Sequence, residues 1–158
     1  MTAYDAGRRV LDAVTAGLTA AGADVPERRY VQAGPALAWD QEHLVVAVTR
    51  PAVPGGVGRE QPRARPCPGV TFCELRVELV RCQPTGSQDE NGQEWMPEAA
   101  EIEAAAKLLL EDAEHLAAAL IPASLVPRSG LPATVGAVVL SGPEGGLASV
   151  SALVQVPL

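Results

Sequence analysis

Aromatic side chains are nearly missing from this 158-residue chain, where two Trp, two Tyr and one Phe make up 3% of the residues. A well-packed core must then be filled by Ala, Val and Leu, and platforms for stacking a flat cofactor are scarce. Cysteine is equally sparse. Cys67, Cys73 and Cys82 are odd in number and fit no CxxC spacing, with His43 and His115 far from them in sequence. That pattern points to reduced structural thiols rather than a metal or redox centre. Lysine occurs once, at Lys107, and 12 basic residues face 19 acidic ones, for a net charge of −7. So acidic a chain lacks the net basic face that displaces phosphate counterions, which argues against a sequence-specific nucleic-acid binder. No apolar run reaches the roughly 20 residues of a membrane span, because Gly, Pro or a charge interrupts each one. The opening Met1-Thr2-Ala3-Tyr4-Asp5 lacks the basic start and apolar stretch of a signal peptide, so the expectation is a cytosolic chain without a membrane partner.

What remains suits one α+β domain, given a 47% hydrophobic composition and a length typical of a single core. Val10 or Leu11, Val14, Leu18 and Ala21 recur at helical spacing, predicting a helix over 3–21. Thr2 followed by Asp5 resembles a capping box, and Gly22 supplies a left-handed stop. Strands are expected at 28–34, 42–50 and 70–82. The last is the clearest, since Cys73, Leu75, Val77 and Leu79 alternate with Glu74, Arg76 and Glu78. Pro97 opens a second helix over 97–121, whose stripe of Ile102, Ala106, Leu109, Ala113, Leu116 and Leu120 reads as core packing. Strands at 134–141 and 147–156 flank Gly142-Pro143-Glu144-Gly145-Gly146 and read as a hairpin. The order α-β-β-β-α-β-β implies a mixed or antiparallel sheet of about five strands with both helices on one face.

Two long loops separate these elements. Residues 51–69 are rich in Pro and Gly, and Arg50, Arg59, Arg63 and Arg65 outweigh Glu60 there. Residues 83–96 are polar and carry Asp89, Glu90, Glu94 and Trp95. Loops of such length serve contacts or stay unstructured alone. Charge is divided along the chain: residues 83–121 carry nine acids against Lys107, whereas residues 50–81 carry six arginines against Glu60, Glu74 and Glu78. An acidic and a basic element on one molecule are what identical subunits need to join head to tail. The Glu74, Arg76, Glu78 row reads either as a solvated outer face with cross-strand ion pairs or as a strand face between subunits.

No catalytic constellation emerges. The chain holds no GxSxG elbow, GxxxxGK[ST] loop or HExxH pair, and no cofactor or metal is expected. A Cys–His pair drawn from Cys73 or Cys82 with His43 or His115 is the one enzymatic alternative, because such pairs meet in space. Glu111 and Glu114, beside Asp112, read as surface charge.

The segments Pro26-Glu27-Arg28-Arg29-Tyr30-Val31, Gly34-Pro35, Trp39-Asp40, Glu42–Val48 and Phe72–Val77 resemble small neck proteins of tailed phages that infect actinobacteria. The element order also resembles the tail-terminator family. That resemblance implies a structural virion protein, a hexameric ring that caps the tail tube and joins it to the head connector or stopper protein, with no catalytic residue. DNA would pass through the lumen. Another neck component, such as a head-completion, stopper or adaptor protein, is the nearest alternative. A regulatory module that dimerises through the second helix is a more distant one.

Overall fold

The computed structural model describes residues 1–34, 41–54, 71–88, 90–121 and 133–158. Along the chain, helix α1 (Ala3–Ala20) is followed by strands β1 (Arg29–Ala33), β2 (His43–Pro54) and β3 (Thr71–Cys82). A short ladder, β4 (Ser87–Gln88) with β5 (Glu94–Trp95), precedes helix α2 (Ala99–Ala119). Strands β6 (Thr134–Val135), β7 (Val139–Glu144) and β8 (Leu147–Pro157) complete the fold. The main sheet runs β1-β2-β3-β8, with β6 and β7 sharing the outer edge of β8. β1 lies parallel to β2, and every other pairing in the sheet is antiparallel.

Alternation along the strands decides which face is buried. Leu44 and Val46 of β2, Cys73, Leu75, Val77 and Leu79 of β3, and Val150, Ala152, Val154 and Val156 of β8 form one apolar surface. Over it lie Ala6, Val10, Leu11, Val14 and Leu18 of α1, together with Leu116 and Ala119 of α2. The two helices touch where Gly17 meets Ala119, so closely that a Cβ on Gly17 would sit 2.7 Å from the Ala119 Cβ. α1 starts as expected: Thr2 Oγ1 accepts from the Asp5 N–H at 3.1 Å, and the Asp5 carboxylate accepts from the Thr2 N–H at 2.9 Å. Those bonds hold the exposed Asp5 carboxyl below its ordinary pKa.

Several expectations need correction. The strand expected over 134–141 is broken into β6 and β7: the chain spends four steps from Val135 to Val139 against three on β8, from Val154 to Ser151. The bulge is held by the Gly136 N–H donating to the Leu153 carbonyl at 2.8 Å. The following turn is tighter than the sequence suggests, because pairing continues to Glu144 and only Gly145 and Gly146 turn the chain, at φ of 58° and 81°. Two successive positive φ values are what a type I′ hairpin requires. β2 runs past the expected end at Arg50 to Pro54, so Arg50, grouped above with the loop arginines, sits within the strand. The 83–96 loop contains the β4–β5 ladder.

The apolar stripe of α2 is only half used. Leu116 is buried and Leu109 and Ala113 are half-buried, but Ala106 and Ile102 are exposed. The N-terminal part of the stripe is left uncovered among the described residues. Trp39, Cys67 and the 55–70 portion of the Pro- and Arg-rich segment lie outside the described residues.

Candidate interaction surface

Three places in the molecule concentrate unusual side chains, and the first is a buried cation. Period-two alternation puts Arg81 on the same face of β3 as Leu79, so its guanidinium enters at the end of the core. Nε and an Nη of Arg81 donate to the two oxygens of Asp112 at 2.7 and 3.0 Å. Glu42 lies at 3.5 Å and Asp24 at 3.8 Å, and the Asp24 carbonyl accepts a further bond. Burial alone would favour loss of the proton. The hydrogen bonds that Asp112 accepts and the charges of Asp112, Glu42 and Asp24 outweigh it and raise the pKa of Arg81 above the ordinary arginine value. One side chain thus ties β3, α2, the α1–β1 turn and the start of β2 together. Sequence reasoning missed this cluster and set Asp112 with the surface acids. The signal was available, because Asp112 precedes Leu116 by one helical turn on the buried stripe and Arg81 continues the Cys73-Leu75-Val77-Leu79 register.

The second place is the sheet face away from the helices. Glu74 behaves as expected for a cross-strand pair: its carboxylate lies 3.7 Å from Arg50 and accepts from the Thr49 hydroxyl at 3.2 Å. Arg76 pairs with Glu78 at 3.4 Å. Glu78, however, is fully buried, and neither of its oxygens has a hydrogen-bond partner among the described residues. The reading of a fully solvated Glu-Arg-Glu row is therefore corrected at its inner end, where Val45 and Ser151 stand opposite on the flanking strands. His43, one row on, is also buried, with Nδ1 donating to the Gln41 carbonyl at 2.6 Å and Nε2 unpartnered among the described residues. Cys73 faces the helices, where burial and then Glu74 push its thiol up to about 11. His43 faces the other way, so the sheet itself separates the two. Cys82 is exposed.

The third place is the N-terminal half of α2 with the strand before it. No residue from Ala99 to Leu110 is buried. Trp95 is 51% exposed, Met96 71%, Ile102 52% and Leu110 55%. Glu90, Glu94, Glu98, Glu101 and Glu103 fall in the same stretch of chain and are all exposed, with Lys107 as the one basic residue between Glu90 and Leu110. The helix start is held by Glu101, whose carboxylate accepts from the Glu98 N–H at 2.9 Å. An apolar centre with a charged rim is the usual form of a protein contact site. Of the residues expected to make contacts, Glu90, Glu94 and Trp95 belong to this exposed stretch. Arg50 lies elsewhere, on β2, while Arg59, Arg63, Arg65 and Asp89 fall outside the described residues.

Among the described residues no helix is long and apolar enough to cross a membrane. A scan against protein-family models and a search of curated proteins returned no match to this chain.

Proposed function

We propose that this chain is a structural assembly subunit of a phage neck, a tail terminator whose ring caps the tail tube and docks to the head connector. The observation that carries the reading is the exposure of Trp95, Met96 and Ile102, in a stretch of chain rich in glutamate and outside the apolar core cluster. Leaving so much apolar surface in water costs about 25 cal/mol per Å², which a partner would recover. The unequal division of charge between residues 50–81 and 83–121 supports contacts between unlike surfaces of identical chains. Such contacts close into rings when the rotation between copies permits. The resemblance of the 26–48 and 72–77 segments to phage neck proteins points to the tube end as the place of assembly.

Electron microscopy of the purified chain, alone and mixed with tail tubes, tests the reading. Sixfold rings seated on tube ends are expected for a terminator. Twelvefold rings would move the assignment to an adaptor at the portal. A chain that neither forms rings nor binds tubes at any concentration would refute both. Deleting residues 55–64 is expected to preserve the fold while abolishing head–tail joining.

A further inference from the structure

The main sheet has two outer edges, and they differ in how well they could take another strand. At one, β6 and β7 are interrupted by the bulge between Val135 and Val139 and by the register shift between Ser141 and Glu144, where Pro143 has no N–H to give. At the other, β1 forms the edge alone, in unbroken register with β2 from Arg29 to Ala33. The Arg28 carbonyl accepts from the Leu44 N–H at 3.0 Å, and the Gly34 N–H donates to the Val48 carbonyl at 2.9 Å. Residues 28, 30, 32 and 34 therefore turn their backbone groups toward β2, and Arg29, Val31 and Ala33 turn theirs away from it. Arg29 and Ala33 are exposed and the three residues between them are half-buried, so this flank is open to a partner.

Those three outward residues are spaced by two and centred on Val31, which makes the edge complementary to itself. When a second β1 lies alongside in the antiparallel sense with the two Val31 residues opposite, Arg29 of each copy stands opposite Ala33 of the other. Every outward N–H then meets an outward carbonyl, each of the three residue pairs exchanging two hydrogen bonds. No like charges stand directly opposite, because the arginine meets an alanine. The apolar side of the edge matches as well: Val31 lies under α1, so close to Gly7 that a Cβ there would sit 2.9 Å from a Val31 methyl. Tyr4, one turn before Gly7 on the same helix, is 62% exposed. The bulged β6 and β7 edge of a second copy would leave part of the outward set on β1 unpaired, whereas a second β1 satisfies all of it.

We propose that two copies of this chain join through β1, antiparallel and twofold about Val31, into one continuous sheet. Such a contact is isologous and closes at two copies. It goes beyond the ring reading and stands without it, since a ring of copies joined through other surfaces leaves β1 available. Five-residue strands make a small contact, so the dimer is expected to be weak and reversible.

Substitutions at the exposed Ala33 test both the contact and its register, read as the dimer dissociation constant by sedimentation velocity on the full-length chain, with circular dichroism to verify folding. Ala33→Glu sets a carboxylate opposite Arg29 of the second copy at two symmetric places and is expected to tighten the dimer about fivefold. Ala33→Arg sets like charges opposite each other and is expected to weaken it by a similar factor. Ala33→Pro deletes an outward N–H at an edge position, leaving the pairing with β2 intact, and is expected to weaken the dimer about tenfold. Equal affinity in all three variants, or a wild-type chain that stays monomeric across the series, overturns the contact. Weakening by proline without opposite responses to the two charges would mean that another strand occupies the edge, and overturns the twofold pairing. None of these results touches the ring reading, which microscopy with tail tubes decides.

Discussion

At the scale of single residues, the Arg81–Asp112 pair has the most to lose. Asp112→Ala removes the closest counter-charge from a buried guanidinium, and the cost expected is about 3–5 kcal/mol, read from denaturant unfolding. Replacing both residues together, Arg81→Met with Asp112→Leu, should cost less than Asp112→Ala alone, since no charge is then stranded. Cys73 gives a pH signature of opposite origin. Its thiol is raised to about 11 against 9.0 for a free one, so the folded state keeps a proton that the unfolded state releases. The associated stability is complete below pH 9 and is lost as the pH climbs through 11. A thiol probe at pH 8 should accordingly label Cys82 rapidly and Cys73 only on unfolding. Asp5 shifts downward, so its contribution is present above its ordinary pKa near 3.8 and disappears as acid protonates the cap. Thr2→Ala should return the Asp5 titration, followed by NMR, toward that ordinary value.

Among the elements, the α1–α2 crossing is set by a missing methyl group. Gly17→Ala in an isolated helix would gain about 1 kcal/mol of propensity, yet here the added Cβ collides with Ala119. A net loss of about 1–3 kcal/mol is expected on thermal or chemical unfolding, with Ala119→Gly recovering part of it. α1 was legible from sequence almost residue for residue, because Thr2, Asp5 and Gly22 mark its ends by local hydrogen bonding and backbone conformation alone. The strands β1 to β3 were legible through alternation, although the pairing of β2 carried it through Pro54, where proline and glycine content suggested a loop. The break between β6 and β7 was not legible, since it depends on register against β8 and not on either segment's own preference. The same limit applied to α2: its periodic stripe announced a helix, but only the position of the sheet decides that Leu116 is covered and Ile102 is not.

For the whole molecule, composition predicted an aliphatic core and the element order a mixed or antiparallel sheet under two helices, and the chain adopts a mixed sheet with both helices over its apolar face. The candidate surface was half legible. Glu90, Glu94 and Trp95 were anticipated by loop position and charge, and Met96 closes the same loop, whereas Ile102, read as core packing, is exposed. If the exposed half of α2 is a contact site, Ile102→Glu should leave the unfolding transition within about 0.5 kcal/mol of wild type, as expected for an exposed position, yet lower the sedimentation coefficient at assembling concentrations. A different consequence follows from the strand order. β8 lies between β3 and the β6 and β7 edge, so residues 72–82 find their second neighbours only at 147–157. While the ribosome is still synthesising the chain, β3 has an open flank of bare amide and carbonyl groups, and the sheet cannot close until residue 157 has emerged. Closure of this sheet therefore waits on a long-range pairing, and its slowest stage should be insertion of β8.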